Sequence, residues 1–378
     1  MRYGMKSKYY NYLFIILLFA GFVSACSDDD NSVSTPSTDL TKQEQIDNVA
    51  DSLLKNIPEL TAIILGIWDN ENNFSYEHAY GTADTKSGTP ANVNMLSRVA
   101  SVTKTFVGTV ALQLVDEGTI SLDDKVTTYL PEYPKYSEVS IKSLLDMTSG
   151  IPDYSTQAEF SMFLLLNMTK KAEPAELVDL VYDKDFLFTP GSFTHGYSST
   201  NTILLGMILE KVCNETIGNL IETRILTPLN LQNSFFATTT AMPTSNVLHG
   251  YYIGIDFLTA ADPSWAWAAG SMVSDIYDLK TWLQCLVKGN PKLLISDSLQ
   301  QMRFVGPPDE FNNTYGCGLG NYGNDLWGHG GKLPGYETIA VTDRHKDRTF
   351  VIFFNTMNDT RPHYFLKRIL EIIGEKSV

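Results

Sequence analysis

The chain has 378 residues, 43% of them hydrophobic and 19% charged. That is the balance of a globular protein long enough for a large core and one or two domains. A formal net charge of -15 and a sequence pI near 4.8 leave no basic stripe to neutralise phosphates, which excludes nucleic acid as a partner.

The N-terminus reads as a targeting segment. Arg2, Lys6 and Lys8 form a positive region, and Leu13 to Val23 is an apolar run of signal-peptide length, short for a membrane span. It ends in Val23-Ser24-Ala25-Cys26, which resembles a bacterial lipobox. The expectation is a lipoprotein signal peptide over 1–25, a lipid anchor at Cys26, a flexible tether over 26–41 and a folded domain over 42–378. Ser27 after the cysteine implies sorting to an outer membrane. Asp28-Asp29-Asp30 resembles a surface-export tag, so the periplasmic face and the cell surface both stay open. Of the other cysteines, Cys213, Cys285 and Cys317 are odd in number and match no zinc spacing. They read as buried thiols, with one disulfide open.

Thr41-Lys42-Gln43-Glu44 has the pattern of a capping box opening a helix that Pro58 ends. Leu60 to Trp68 and Phe74 to Tyr80 read as strands joined through Asp69-Asn70-Glu71-Asn72. A buried helix then opens at Ser101, with Phe106, Val107, Val110, Ala111 and Leu114 at helical spacing and Gly118 as its cap. Helices follow near 141–147, 175–182, 202–212, 217–225 and 275–287. Strands return at 315–319, 325–328, 336–342 and 349–355, before a last helix over 361–373. Strands at both ends with helices between predict an α/β chain: one sheet built from the two termini, with an inserted helical lobe.

Ser101 and Lys104 stand three residues apart, so hydroxyl and amine share a helix face. Burial depresses a lysine pKa, and a neutral amine beside a hydroxyl is a base for it. The helix N-terminus also turns backbone N–H groups toward a developing oxyanion. The second copy of the pattern, Ser52-Leu53-Leu54-Lys55, lies in the first helix, where Lys55 reads as solvated. A serine and a lysine alone are incomplete for acyl transfer, because the leaving group needs a proton and the oxyanion a second donor. Two later stretches offer these: Phe188 to Asn201, around Tyr197, and Trp327 to Tyr336, around His329.

With Ser101 these stretches resemble the serine β-lactamase and penicillin-binding protein family, in the branch of class C β-lactamases, D-Ala-D-Ala carboxypeptidases and related esterases. Leu144 to Ile151 and Ala269 to Ser274 resemble two more of its segments, so the likeness runs from about residue 45 to the C-terminus. The resemblance implies an antiparallel sheet flanked by helices, with the site in a cleft. It implies Ser101 as nucleophile, Lys104 as its base, Tyr197 as shared acid and base, and His329 at the head of the Lys-Thr-Gly motif. The backbone N–H groups of Ser101 and Lys332 would form the oxyanion hole, while Gly330 and Gly331 would keep the strand clear for substrate. No metal or organic cofactor is implied. The function implied is a serine hydrolase working through an acyl-enzyme on a peptide, amide or ester at the cell envelope. The alternatives are a carboxylesterase of the same fold and a penicillin-binding sensor without turnover.

Two departures touch substrate binding. Ser199 stands where the family has asparagine, and Gly330 where it has threonine. His329 is expected to replace part of the missing positive charge when protonated, near or below a pKa of about 6.5. Tyr322-Gly323-Asn324 competes with Tyr197 for the tyrosine role but reads better as a hairpin turn. His195 reads as a loop histidine, and His78, His249, His345 and His363 carry no partner signal. Tyr251, Tyr252, Trp265 and Trp267 fit either a cleft lining or the core.

Overall fold

A computed structural model describes residues 40–238, 241–309, 313–357 and 361–374. The expected signal peptide, the expected anchor at Cys26 and the expected tether up to residue 39 lie outside the described residues. Helix Lys42–Asn56 starts at the expected capping box: Glu44 N–H donates to Thr41 Oγ1 (3.2 Å), and Thr41 N–H to Glu44 Oε2 (2.7 Å). Ser52 and Lys55 are exposed on it.

One antiparallel sheet of eight strands carries the fold. Strand Ala62–Asp69 pairs on one side with Phe74–Asp84 and on the other with Arg348–Phe354, so the two ends of the chain meet. Tyr336–Asp343, Leu326–Leu333, Leu319–Asn321 and Tyr315–Gly316 continue it outward. Both faces are covered, which is why Ala62-Ile63-Ile64-Leu65-Gly66-Ile67-Trp68 is apolar without alternation. Ile63, Leu65 and Ile67 meet Ile46, Ala50 and Leu53 of the first helix, and Phe365 and Ile369 of the last helix, Arg361–Ile373. Each such large side chain fully buried stabilises by about 1.5–3 kcal/mol. Ile64, Val351 and Phe353 face the other way, into the core of the inserted lobe.

Helix Thr103–Asp116 runs through that core, buried on every side from Thr103 to Leu114. Its β-branched residues are poor helix formers, yet the threonines bond back along the chain: Thr105 Oγ1 to the Val102 carbonyl and Thr109 Oγ1 to the Thr105 carbonyl, both 2.7 Å. Phe106 stacks on Trp282 with ring centroids 4.2 Å apart, and Trp282 Nε1 donates to Thr105 Oγ1 (2.8 Å). Gly118 ends the segment at φ +71°.

Three expectations need correction, and two elements were not foreseen. The stretch 315–319 is two strands, because Gly318 turns the chain at φ +70°. The strand expected over 325–328 runs on to Leu333 through two glycines, held by pairing with Tyr336–Asp343. The helix near 217–225 is helix Ile217–Ile221 followed by a π-turn, Glu222–Leu226. A small sheet of Ser97–Arg98, Met272–Ser274 and Phe235–Phe236 was not foreseen, nor was the helix Ala158–Asn167. The cysteines among the described residues are free thiols, Cys317 buried and Cys213 and Cys285 half-buried.

Candidate active site

Ser101 sits in a single 3-10 turn, Ala100–Val102, just before the helix rather than in its first turn. Ala100 takes φ +50°, a conformation L-residues adopt at a cost. The small sheet holds that turn in place: Val99 N–H donates to the Met272 carbonyl (3.1 Å), and Met272 N–H to Thr103 Oγ1 (2.9 Å).

Lys104 lies one turn on, only 2% exposed. Its Nζ is 3.0 Å from Ser101 Oγ and 2.9 Å from the Ala269 carbonyl, to which it donates. Burial pulls the Lys104 pKa down to about 7, with the Asp153 carboxylate acting against it. An amine that poised is neutral often enough at neutral pH to accept a proton.

The Tyr197 ring packs against that ammonium, with Nζ 5.1 Å from its centroid. Desolvation holds the Tyr197 phenol well above the ordinary phenol range, and its hydrogen bond with Ser101 acts the other way. The phenol therefore stays protonated at neutral pH. Lysine pushed down and tyrosine pushed up is the separation that sorts a base from an acid.

The segment 144–151 explains how Tyr197 is carried. Gly196 N–H donates to the Met147 carbonyl (2.9 Å), and Ser149 Oγ to Asn201 Oδ1 (2.6 Å), just inside helix Ser199–Cys213. Gly150 has φ +70°, and a Cβ there would stand 2.2 Å from the Phe188 carbonyl oxygen. Ser199, first residue of that helix, is buried and reaches the cavity.

His329 lies in the strand beside the Ser101 turn, with its ring centroid 6.0 Å from that of Tyr197. Its expected charge is not there. Burial, with Lys104 and His363 nearby, brings its pKa down to about 3, so the ring is neutral at physiological pH. Nδ1–H donates to the Gly330 carbonyl, and Nε2 accepts from Tyr315 Oη at 3.0 Å. Tyr315 had no signal in the sequence. It stands edge-on to both Tyr197 and His329, at 6.0 and 5.6 Å between centroids.

The two glycines have a reason other than clearance for substrate. A Cβ on Gly331 would lie 2.3 Å from the Val99 carbonyl oxygen, so the strand can approach the Ser101 turn only with glycine there. A Cβ on Gly330 would meet Tyr322 Oη at 3.2 Å and His363 Cε1 at 3.3 Å.

Ser101, Tyr197, Ser199, His329, Gly330, Gly331 and Lys332 are among the residues that line one cavity of about 860 Å³, whereas Lys104 and Tyr315 are not part of the lining. The lining also includes the apolar side chains Phe160, Leu164, Met168, Phe257, Trp265 and Leu333, with the Phe160 and Trp265 ring centroids 6.0 Å apart. Of the four aromatic residues singled out, Tyr252 and Trp265 reach it, whereas Trp267 is buried and Tyr251 Oη accepts from Thr85 N–H. His195 packs beside Tyr315 at 5.8 Å and is not part of the lining. Tyr322 does open a turn, as expected, with Gly323 at φ +79° and Asn324 at +50°, yet its ring lines the cavity too. Asp153 was missed: it caps a short turn, Oδ1 accepting from Ser155 N–H and Oγ at 2.8 Å each, and it faces the cavity. No group of His, Cys, Asp and Glu among the described residues has the arrangement of a metal site.

Residues 52–372 match a family model described as Beta-lactamase. A putative penicillin-binding protein of Bacillus subtilis (strain 168) is 25% identical over 79% of this chain and 71% of that protein. Among solved structures, the D-amino acid amidase from Ochrobactrum anthropi SV3 complexed with D-phenylalanine superposes with a TM-score of 0.76, at 25% identity over 88% of this chain and 98% of that one. A D-stereospecific amidohydrolase from Streptomyces sp. gives a TM-score of 0.74, at 27% identity over the same shares.

Proposed function

The chain belongs to the Beta-lactamase family, a family of hydrolases, and on that premise we propose that it cleaves an amide or ester bond through an acyl-enzyme on Ser101. The observation that carries this is the buried contact of 3.0 Å between Ser101 Oγ and an amine whose pKa is about 7.

In acylation the neutral Lys104 amine takes the hydroxyl proton as Ser101 Oγ bonds to the substrate carbonyl carbon. The carbonyl oxygen becomes an oxyanion, received by the backbone N–H groups of Ser101 and Lys332. Collapse of the adduct breaks the bond to the leaving group. Tyr197 gives that group its phenol proton and is reprotonated from the Lys104 ammonium. A water then attacks the acyl-enzyme carbon and gives its proton to the neutral Lys104 amine, and as the bond to Ser101 Oγ breaks the Lys104 ammonium returns that proton to Ser101. His329 moves no proton in this scheme; neutral and held by two hydrogen bonds, it fixes the strand beside Tyr197.

The substrate reading favours amides and esters over β-lactams. Ser199 and Gly330 lack the amide and hydroxyl that would grip a β-lactam, and each lost bond costs about 1–3 kcal/mol. With His329 neutral, no histidine charge offsets that loss. The Asp153 carboxylate and the apolar side chains of Phe160 and Trp265 fit an amine-bearing substrate with a bulky apolar group. The likeness to the D-amino acid amidase and to the D-stereospecific amidohydrolase agrees with this. The test is a panel of nitrocefin, p-nitrophenyl butyrate and D- and L-phenylalanine amides. Ester or amide turnover should exceed nitrocefin turnover by at least about tenfold in kcat/KM, the effect of one lost bond. Nitrocefin hydrolysis at about 10⁶ M⁻¹s⁻¹ or above, well up the usual enzyme range, would overturn the substrate reading. An acyl adduct that forms and never releases would favour the sensor alternative.

The envelope location is also proposed, from the lipobox at Cys26. Radiolabelled palmitate should enter the wild type and not Cys26→Ala, and the variant should leave the membrane fraction. Equal incorporation in the two would refute the anchor.

A further inference from the structure

The backbone enters the left-handed region at two places that face each other. Glu59 has φ +64° in the turn Ile57–Leu60, closed by Leu60 N–H to the Ile57 carbonyl at 3.3 Å. Pro58 stands before it, and the position after such a turn proline favours glycine when φ is positive. Ile253 has φ +50° and Gly254 +75°; they are the two loop residues of the hairpin that joins Tyr251–Tyr252 to Ile255–Asp256. A two-residue hairpin turn with both φ values positive favours asparagine, aspartate or glycine. A β-branched residue there is an outlier, because its Cβ crowds the following carbonyl oxygen.

One side chain joins the two places. The Glu59 carboxylate accepts from Ile253 N–H through Oε2 at 2.8 Å and from Gly254 N–H through Oε1. A carboxylate holds such N–H groups more firmly than a neutral acceptor does. The base of the hairpin is fixed by other groups: Tyr251 N–H donates to the Asn355 carbonyl at 2.9 Å, and Thr356 Oγ1 to the Tyr251 carbonyl at 2.8 Å. Glu59 grips the tip and not the base.

The tip lies at the cavity that holds Ser101. Ile253 lines that cavity and is nevertheless 64% exposed, so it stands at the rim. Tyr252 lines the cavity as well and packs on Phe257, with ring centroids 6.2 Å apart. An isoleucine left largely in water, in a backbone conformation that disfavours it, contributes little to the folded state. Its apolar surface is available instead to a group that enters the cavity, and covering it favours binding. Strain retained at such a place points to function rather than folding.

We propose that Ile253 is a specificity-determining residue, an apolar contact at the cavity rim for a bulky apolar group of the substrate, and that Glu59 is its positioning residue, keeping the tip in a conformation the isoleucine would otherwise leave. The proposal rests on the acyl-enzyme reading and deepens it, adding a selection for bulk that is set from the turn after the first helix.

The experiment compares kcat/KM for p-nitrophenyl acetate with that for two bulkier esters, p-nitrophenyl phenylacetate and naphthyl acetate, which carry the bulk in the acyl half and the alcohol half. The readout is the ratio of each bulky ester to the small one. In Ile253→Asn at least one ratio should fall about fourfold or more, the scale of one methylene losing its contact. Which ratio falls identifies the half that meets the rim. The fall should sit in KM, because the contact is made alike in the bound substrate and in the transition state. Asparagine tolerates a positive φ, so this variant should melt no lower than the wild type. A purely structural role would instead cost stability and lower all three rates alike. Ile253→Leu, apolar and unbranched at Cβ, should keep most of the ratio. Glu59→Gly suits the backbone at φ +64° and removes only the carboxylate, and the same ratio should fall. Glu59 acts through Ile253, so the double variant should lose no more than Ile253→Asn alone. Ratios unmoved in both single variants would overturn the proposal and leave the acyl-enzyme intact. Losses that add in the double variant would take the positioning role from Glu59. No ester turnover together with no fluorophosphonate adduct on Ser101 would defeat the acyl-enzyme reading itself.

Discussion

Ser101→Ala is expected to abolish covalent labelling by a fluorophosphonate and to lower turnover of any substrate by at least about 10⁴-fold, the scale seen when a nucleophile is removed from a concerted set. Ser52→Ala, in the exposed copy of the same pattern, should leave both unchanged. Of the two copies, only Ser101 has the partners the reaction needs, with Lys104 at 3.0 Å and the Tyr197 ring packed against that lysine. The alanine removes the atom that forms the acyl bond while leaving the buried turn almost untouched. The variant should therefore melt close to the wild type. Intact mass after labelling, read with a thermal melt, gives the answer, and an adduct on Ser101→Ala would end the assignment.

The second large effect is on pH. The base form of Lys104 is the neutral amine, and its pKa is brought down to about 7 by burial. As pH falls through that value the amine is protonated and can no longer accept the Ser101 proton. The logarithm of kcat/KM should then rise with unit slope below about 7 and level off above it, so activity at pH 5 is about a hundredfold below the plateau. His329 adds no step to this limb, since its own pKa is near 3. Tyr197 adds none on the alkaline side near neutrality, because its phenol titrates well above the ordinary range. A profile flat from pH 5 to 8 would show that Lys104 is not the base.

The sequence shows the Ser101–Lys104 pair because the approach is local: three residues along one turn of chain bring hydroxyl and amine together. The helix at Lys42 and the meeting of the two ends in one sheet were legible for the same reason, from a capping pattern and from strand-like runs. What stayed hidden depends on distant approach. Tyr315 has no motif and matters only because it reaches His329 across the sheet edge. The charge state of His329 is a property of its burial beside Lys104, which no spacing encodes. Gly331 reads as clearance for substrate, whereas the oxygen it makes room for belongs to Val99. Helix Ala158–Asn167 was missed because Ala-Glu-Phe-Ser-Met-Phe-Leu-Leu-Leu-Asn has apolar residues on every side and so no helical period. The strands of the small sheet are two or three residues long, too short to show alternation.

The pairing of Ile63 with Phe354 has a consequence for how the chain is made. Strand Ala62–Asp69 emerges early during synthesis, but one of its two neighbours arrives only when nearly everything else has been released. Until then Phe74–Asp84 can cover one edge, while the other presents Ile, Ile, Leu, Ile and Trp with unpaired backbone groups. Closing so long a loop is entropically slow, and an open apolar edge is the kind that recruits another chain. The lobe with Ser101 can collapse first, but the strand that seats the Ser101 turn, Leu326–Leu333, is held through Tyr336–Asp343 and that late partner. The seating of the Ser101 turn and the cover for that open edge therefore wait on the same late strand.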